Sequence, residues 1–563
     1  MNFFITVNNR EIEAVKGETI LQALKRAGIS IPTLCNMEGF TPTGACRLCM
    51  VEVKGREGLV PSCSQPVEEW MEVKTHTPRV IKARRMIVEL LLASHPDDCL
   101  YCERNCHCEL QNLAFELNVR ERKQSSRRPA MVKDLSSPAI TRDPSKCILC
   151  GRCVRICEEV MGCSSLEFSG KGDASRIDTL GGRGLNATSC IACGQCVMVC
   201  PTGALYEKKK LAELQIALGN PGLHPVAVVD PVVSLSLADV YGNRNLRQSA
   251  RQLNNLLKRC GFREVYDYAA LQDLYVRKTA EELTRAEGST IYSSNCPAWI
   301  KYAEQYLPEL LPCISKLKSP SQLAGTLLKK LLPEKDGTKP FVVSFSPCTA
   351  RKYESRRREF NPVGEPEIDL VITARALEQY VVLNGMDPAT AEAEEFNKPF
   401  QTSSMYGELG GVSGGTMEAV AAETYFRLTG GKDLPSGRLK KVKPGKIREL
   451  VFDHAGETWR FASVSGMAEA AGFIEELSGK PGYYRYIEVM ACPNGCINGG
   501  GLPILNDDNI LKNRQKQLTE LAEKNALACS NRNRTIDELL SELAKMDGGE
   551  QLLYTAYEPG KTV

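Results

Sequence analysis

Alternation of apolar and polar positions marks the chain from its first residues. FFITVNN and REIEAV, together residues 3–15, each alternate with a period of two around a short polar turn, which predicts a β-hairpin. ETILQALKRAG (18–28) changes to helical spacing and stops at a glycine. VIKARRMIVELLLASHP (80–96) places apolar residues three and four apart, predicting an amphipathic helix that ends at Pro96. After about residue 209, short apolar runs such as HPVAVVD (224–230) and KPFVVSFSP (339–347) alternate with helical stretches such as LRQSARQLNNLLKRCG (246–261). That alternation predicts an α/β unit with a parallel sheet. RKQSSRRPAMVKDLSSP (122–138) follows neither period and reads as a linker.

Composition narrows the class. A chain of 563 residues exceeds one core and implies several domains. A net charge of +3 gives no basis for binding nucleic acid or an anionic membrane. No window approaches the ~20 apolar residues of a membrane helix. MNFFITVNNREIEAVKG has no basic leader and no long apolar run, so no signal peptide is expected and the expected location is cytoplasmic. Cysteine changes the picture most. Of 24 cysteines, 17 fall between Cys35 and Cys200. Clustered thiols in a reducing compartment point to metal rather than disulfides.

The strongest motif is an internal repeat, CILCGRCVRIC and CIACGQCVMVCP. Cys147, Cys150, Cys153 and Cys157 share their spacing with Cys190, Cys193, Cys196 and Cys200, the run of a two-cluster ferredoxin. Three closely spaced thiolates hold one cubane and the fourth crosses to the other. Cys147, Cys150, Cys153 and Cys200 are therefore assigned to one [4Fe–4S], and Cys190, Cys193, Cys196 and Cys157 to the second. Zinc would not call for eight cysteines in two matching runs. Cys35, Cys46, Cys49 and Cys63 suit a [2Fe–2S] centre on the loops of a small β-rich domain, since a zinc ribbon pairs two CxxC knuckles and only one is present. HPDDCLYCERNCHCEL offers His95, Cys99, Cys102 and Cys108 as a further site. Cys106 and His107 compete, and spacing leaves the choice open. An imidazole ligand would raise that cluster's potential.

Beyond residue 209 lie three short cysteine segments, SSNCPAW, FSPCTARKYE and EVMACPNGCINGGGLP. They contribute Cys296, Cys348, Cys492 and Cys496, a possible four-thiolate cubane. The spacing of Cys492 and Cys496 predicts one helical turn with both on one face. Gly499, Gly500 and Gly501 would let backbone approach a bulky ligand. GGVSGG (410–415) lacks the lysine of a phosphate loop and suits close packing near a metal. Cys106, Cys163, Cys260, Cys313 and Cys529 remain as structural thiols.

In domain order and motifs the whole chain resembles an iron-only ([FeFe]) hydrogenase of the long, four-accessory-cluster form. The resemblance implies a multidomain α+β and α/β fold. Its parts are a β-grasp [2Fe–2S] domain at 1–78, a [4Fe–4S] domain with one histidine and three cysteine ligands at 79–125, a two-[4Fe–4S] ferredoxin-like domain at 138–208 and an H-cluster domain at 209–563. It implies His95 as the imidazole ligand. It also implies that Cys296, Cys348, Cys492 and Cys496 hold the [4Fe–4S] part of an H-cluster, with Cys496 bridging to a di-iron centre. Cofactors would be one [2Fe–2S], three accessory [4Fe–4S] and the H-cluster. The reaction would interconvert H2 with protons and electrons, relayed to ferredoxin or to flavin/NAD partner subunits, after maturation proteins insert the di-iron centre.

Departures from the family pattern surround the site. Asn295 stands where the family has a proton-relaying cysteine, and a carboxamide does not exchange protons near neutral pH. Glu282 and Ser315 match two groups of the family's proton route, while an ungapped alignment puts Thr279 at a carboxylate position. Ser346 replaces a methionine, Arg351 a lysine that contacts cyanide, and Leu502 a glutamine. These changes predict slow turnover. The alternatives are a sensory H2-binding protein, an electron-transfer subunit without a di-iron centre, and a complex I-like large subunit, against which the three distal segments argue.

Overall fold

The structure, a computed structural model, describes residues 2–121, 131–243, 245–286, 288–332, 337–361, 364–435, 439–443, 446–505, 507, 509–525 and 527–560, with backbone alone at 439–443. The first half of the expected linker, 122–130, lies outside the described residues. Its second half is packed rather than extended: Asp134 pairs with Arg142 in a β-bridge and its carboxylate accepts from Leu185 N at 2.7 Å.

The N-terminal hairpin forms as its alternation predicts, Asn2–Val7 against Arg10–Val15, with Ile5, Val7, Ile12 and Ala14 buried. Helix Ile20–Arg26 is started by a reciprocal cap between Thr19 and Gln22. Strands Glu72–Lys74, Met50–Val53 and Val60–Pro61 complete a five-stranded mixed sheet. Thr77 caps the amphipathic helix Pro78–Ala93, whose first residue is the proline expected there.

The repeat folds twice into the same local shape. Leu149 and Ala192 have φ of 57° and 56°, and Gly151 and Gly194 have φ of 73° and 74°. Each glycine opens a short helix, Arg152–Arg155 and Gln195–Val199. The halves differ at the fourth cysteine: Cys157 lies in a π-helical turn, Ile156–Val160, whereas Cys200 ends its helix.

The distal half contains the expected parallel sheet, in the order Glu264–Asp267, Leu223–Val229, Lys339–Ser346 and Leu370–Thr373. Its central strands read as continuous apolar runs because helices cover both faces, and Val226 to Val229 are at most 1% exposed. A second sheet is mixed: Ile291–Tyr292 and Tyr486–Met490 run parallel to Glu457–Ser465, which pairs antiparallel with Ile447–His454. The three distal cysteine segments follow strands of these two sheets.

Candidate active site

Three strand ends meet at one cavity. It encloses about 710 Å³ and is bordered by Cys296, Cys348, Cys492 and Cys496. Cys296 occupies the N-cap position of helix Pro297–Tyr306, and Cys348 follows the strand ending at Ser346. Cys492 and Cys496 do not lie on one helical turn, contrary to their spacing. The chain turns through Asn494 (φ 65°) and Gly495 (φ 94°), a conformation that suits asparagine and glycine. Both thiols still border the cavity. Burial pushes Cys348 up to about 11 and Cys496 well above the usual thiol range. Neutral thiols of this kind ionise on binding metal, whose charge replaces the lost hydration.

Gly410, Gly411 and Gly499 border the cavity. At Gly499, Gly500 and Gly501 a Cβ would lie 2.3 Å from Pro347 O, 2.1 Å from Cys193 O and 2.7 Å from the Thr373 side chain, so all three permit close backbone packing. Leu502 is fully buried with Ile497 and Leu518 in an apolar cluster, off the cavity wall.

Two further cavities sit in the repeat. One, of about 460 Å³, is bordered by Cys147, Cys150, Cys153 and Cys200. The other, of about 360 Å³, is bordered by Cys157, Cys190, Cys193 and Cys196. Backbone N–H groups of Leu149, Ala192 and Ser165 each stand 3.4 Å from Sγ of Cys147, Cys190 and Cys157. Near the N-terminus, Cys35, Cys46, Cys49 and Cys63 lie close enough to perturb one another electrostatically. Among the described residues no three His, Cys, Asp or Glu side chains close on one point, as a single ion would require; the repeat and distal cysteines border cavities instead.

In the histidine segment, Nδ1 of His95 lies 3.1 Å from Pro96 O, which favours the Nδ1–H tautomer, the form whose Nε2 ligates a metal. Cys99, Cys102 and Cys108 are electrostatic neighbours; Cys99, Cys106 and His107 are exposed.

The sites are joined by direct contacts. Arg155 donates to Cys35 O and Arg104 to Cys200 O. Cys193 borders both the second repeat cavity and the main one. Gln195 Nε2 donates to Cys492 Sγ at 3.2 Å and to Asn498 O at 2.7 Å. No local signal marks Gln195, because its partner lies 297 positions away.

Residues 224–500 match the C-terminal domain of the iron-only hydrogenase large subunit. Residues 2–78 match a 2Fe-2S iron-sulfur cluster binding domain. Residues 84–123 match the NADH-ubiquinone oxidoreductase-G iron-sulfur binding region, and 137–206 the ferredoxin-like domain of NADH-quinone oxidoreductase subunit 3. NADP-reducing hydrogenase subunit HndD of Solidesulfovibrio fructosivorans is 35% identical over 580 residues, covering 98% of each chain. Iron hydrogenase 1 of Clostridium pasteurianum is 30% identical over 523 residues, 90% of each. The chain belongs to the [FeFe]-hydrogenases. A variant of [FeFe]-hydrogenase HydA1 from Chlamydomonas reinhardtii superposes with a TM-score of 0.56 at 28% identity, covering 62% of this chain and 99% of that one. This hydrogenase is thus an oxidoreductase with 2Fe–2S and 4Fe–4S domains and the family's catalytic domain.

Hydrogen bonds tie the polar residues around the cavity together. Arg351 Nη2 donates to Asn295 O at 2.9 Å, to Asn295 Oδ1 at 3.0 Å and to Tyr268 Oη at 3.2 Å. Its other terminal nitrogen grips both Glu354 oxygens, at 2.9 and 2.7 Å. Asn295 Nδ2 faces Gln272 Oε1 at 3.4 Å, so both ends of the carboxamide are engaged. Ser346 Oγ accepts from Cys348 N at 3.2 Å. Ser315 Oγ donates to Glu282 Oε2 at 2.6 Å, and burial raises that carboxyl. Between this pair and Asn295, helix Tyr268–Arg285 presents Thr279, whose hydroxyl returns to Tyr275 O at 2.8 Å, and Tyr275, whose Oη lies 3.2 Å from Ser294 Oγ. None of these three side chains is a carboxylate. Asp230, Tyr268 and Glu488 also border the cavity and were not singled out by the sequence. Asp230 stands in the sequence only as the last residue of the strand-like run HPVAVVD.

Proposed function

We propose that the chain catalyses H2 ⇌ 2H⁺ + 2e⁻ slowly, at a di-iron centre anchored beside a cubane held by Cys296, Cys348, Cys492 and Cys496. The convergence of these thiols, from three distant segments, on one glycine-walled cavity carries the reading. The bound H-cluster supplies the H2 chemistry; the chain's residues supply a dry pocket, fixed charge and proton exchange. Arg351 keeps a cation against the cavity. Asn295, held at both ends, donates and accepts hydrogen bonds but does not carry protons.

Electrons pass through the accessory sites: Cys35, Cys46, Cys49 and Cys63 for the [2Fe–2S]; His95, Cys99, Cys102 and Cys108 for one [4Fe–4S]; and the crosswise sets of the repeat for two more. Cys193, which borders both cavities, and Gln195, which reaches from the repeat cavity to Cys492, support the last transfer. The domain limits 1–78, 79–125, 138–208 and 209–563 follow from this division. Likeness to a subunit named as NADP-reducing favours flavin/NAD partner subunits as electron partners, with ferredoxin as the second candidate. No helix among the described residues is long and apolar enough to cross a membrane. The proposed site of action is the cytoplasm.

A sensory role draws support from the doubly held Asn295, since H2 detection does not need fast proton exchange. Infrared spectroscopy of matured protein under H2 and argon, with an H2 assay, tests the reading. Carbonyl and cyanide bands with slow turnover are expected. Their absence from matured protein would leave an electron-transfer subunit.

A further inference from the structure

Behind one wall of the main cavity lies a second, polar one of about 930 Å³, lined in part by Arg247, Asp267, Ser403 and Glu408. The wall is made by the carboxyl ends of two parallel strands, in which Val229 is paired with Asp267. Ligand sites of open α/β sheets lie at such strand ends. Val229 and Pro231 line the outer cavity, while Asp230 between them lines the inner. Asp267 lines the outer cavity, and its neighbour Tyr268 the inner. The two strand ends thus offer acidic side chains to both sides of one thin partition.

Each carboxylate is held by hydrogen bonds, and among the described residues none of the three has an ion-pair partner. Asp230 is 8% exposed, and its Oδ1 accepts from Val232 N at 2.8 Å. Arg351 and Tyr268 lie beside it on the inner side, and Asp267 faces it across the partition. Asp267 Oδ1 accepts from Ala269 N at 2.9 Å and its Oδ2 from Ser403 Oγ at 3.4 Å. Glu408 accepts from Asn525 Nδ2 at 3.0 Å through Oε1, while its buried Oε2 has no hydrogen-bond partner among the described residues. Burial, with the nearby Asp273 and Asp230 charges, pushes Asp267 up to about 7. Burial and Asp267 push Glu408 up to about 8 against the opposing pull of Arg247. Arg247 also lines an adjoining cavity with the exposed Glu520 and Lys524, where the row meets solvent.

We propose that Glu408, Asp267 and Asp230 form a proton route between solvent and the di-iron site, standing in for the thiol that Asn295 displaced. The proposal rests on the hydrogenase reading above. In the direction of proton reduction, a proton taken up by Glu408 passes to the Asp267 carboxylate and then to Asp230, and each donor returns to its anion. Two such passages accompany the two electrons arriving through the clusters, and H2 oxidation runs the row in reverse. The outer cavity has room for bridging water. Unlike the face of helix Tyr268–Arg285 between Glu282 and Asn295, this row has a titratable group at every stage.

Asparagine caps a helix about as well as aspartate, so D230N and D267N keep the starts of their helices. In matured protein, D230N is expected to lower H2 turnover by about tenfold or more, the low side of acid–base contributions. In protein produced without maturation, difference infrared spectra across pH should show a protonated-carboxyl band titrating near pH 7–8, lost in D267N and in E408Q. Unchanged turnover and pH profile in D230N, with full carbonyl and cyanide bands, overturns the row and leaves the hydrogenase reading standing. So does a wild-type spectrum with no such titrating band. Missing carbonyl and cyanide bands in matured wild type overturn the hydrogenase reading instead.

Discussion

Arg351 Nη2 donates to both oxygens of Asn295, the main-chain one at 2.9 Å and Oδ1 at 3.0 Å. The two residues are thus one hydrogen-bonded unit at the edge of the cavity. The broad guanidinium fork reaches the carboxamide while still gripping Glu354, which a lysine's single ammonium would not do in the same way.

Restoring the thiol is the direct test of Asn295. N295C should raise H2 turnover, because general acid–base groups contribute about 10²–10⁴-fold. The gain is expected at the low end, since Thr279 still interrupts the route to Glu282. An H2 assay on protein with full carbonyl and cyanide bands checks it, and no gain there would sink the relay argument.

The Arg351–Glu354 pair is buried, with side chains 7% and 5% exposed. R351A would strand Glu354 and should cost about 3–5 kcal/mol. R351K should cost less while freeing Oδ1 of Asn295. Apparent melting temperatures of protein lacking the di-iron centre separate the two variants.

Crosswise cavities predict crosswise losses. C200A should remove the cluster bordered by Cys147, Cys150 and Cys153, and C157A the one bordered by Cys190, Cys193 and Cys196. Electron paramagnetic resonance of the reduced proteins would show which signal disappears. If each variant instead loses the cluster of its own half, the interlocked assignment fails.

Gln195 Nε2 donates to Cys492 Sγ at 3.2 Å, and hydrogen bonds to sulfur tune cluster potentials. Q195L should therefore make the potential of the adjacent cubane more negative, while the other accessory clusters keep theirs. A redox titration that moves none of them would refute the contact's role.

Burial and the nearby Glu488 hold Glu418 up to about 7, against the pull of Arg448. This folded-state value lies above that of the unfolded chain. The stability tied to the protonated form is complete below about pH 4 and is lost as pH rises through 7. E418Q should match the wild type near pH 5 and exceed it near pH 8 by about 1–2 kcal/mol. Equal melting temperatures at both pH values would contradict this.

Local pattern determined a good deal by itself. The hairpin of 2–15, the capped helices at Thr19 and Thr77, and the doubled positive-φ turns of the repeat all follow from neighbouring residues. The parallel sheet was legible because strands buried on both faces carry unbroken apolar runs. Local spacing also misleads: Cys492 and Cys496 stand one helical turn apart in sequence, and Gly495 makes a loop instead. Which thiols share a cavity, how Arg351 meets Asn295 across 56 positions, and why Asp230 and Asp267 stand on either side of one wall depend on where strand ends meet. Tertiary packing alone decides that, because burial and electrostatics act through space while composition and spacing register only neighbours along the chain.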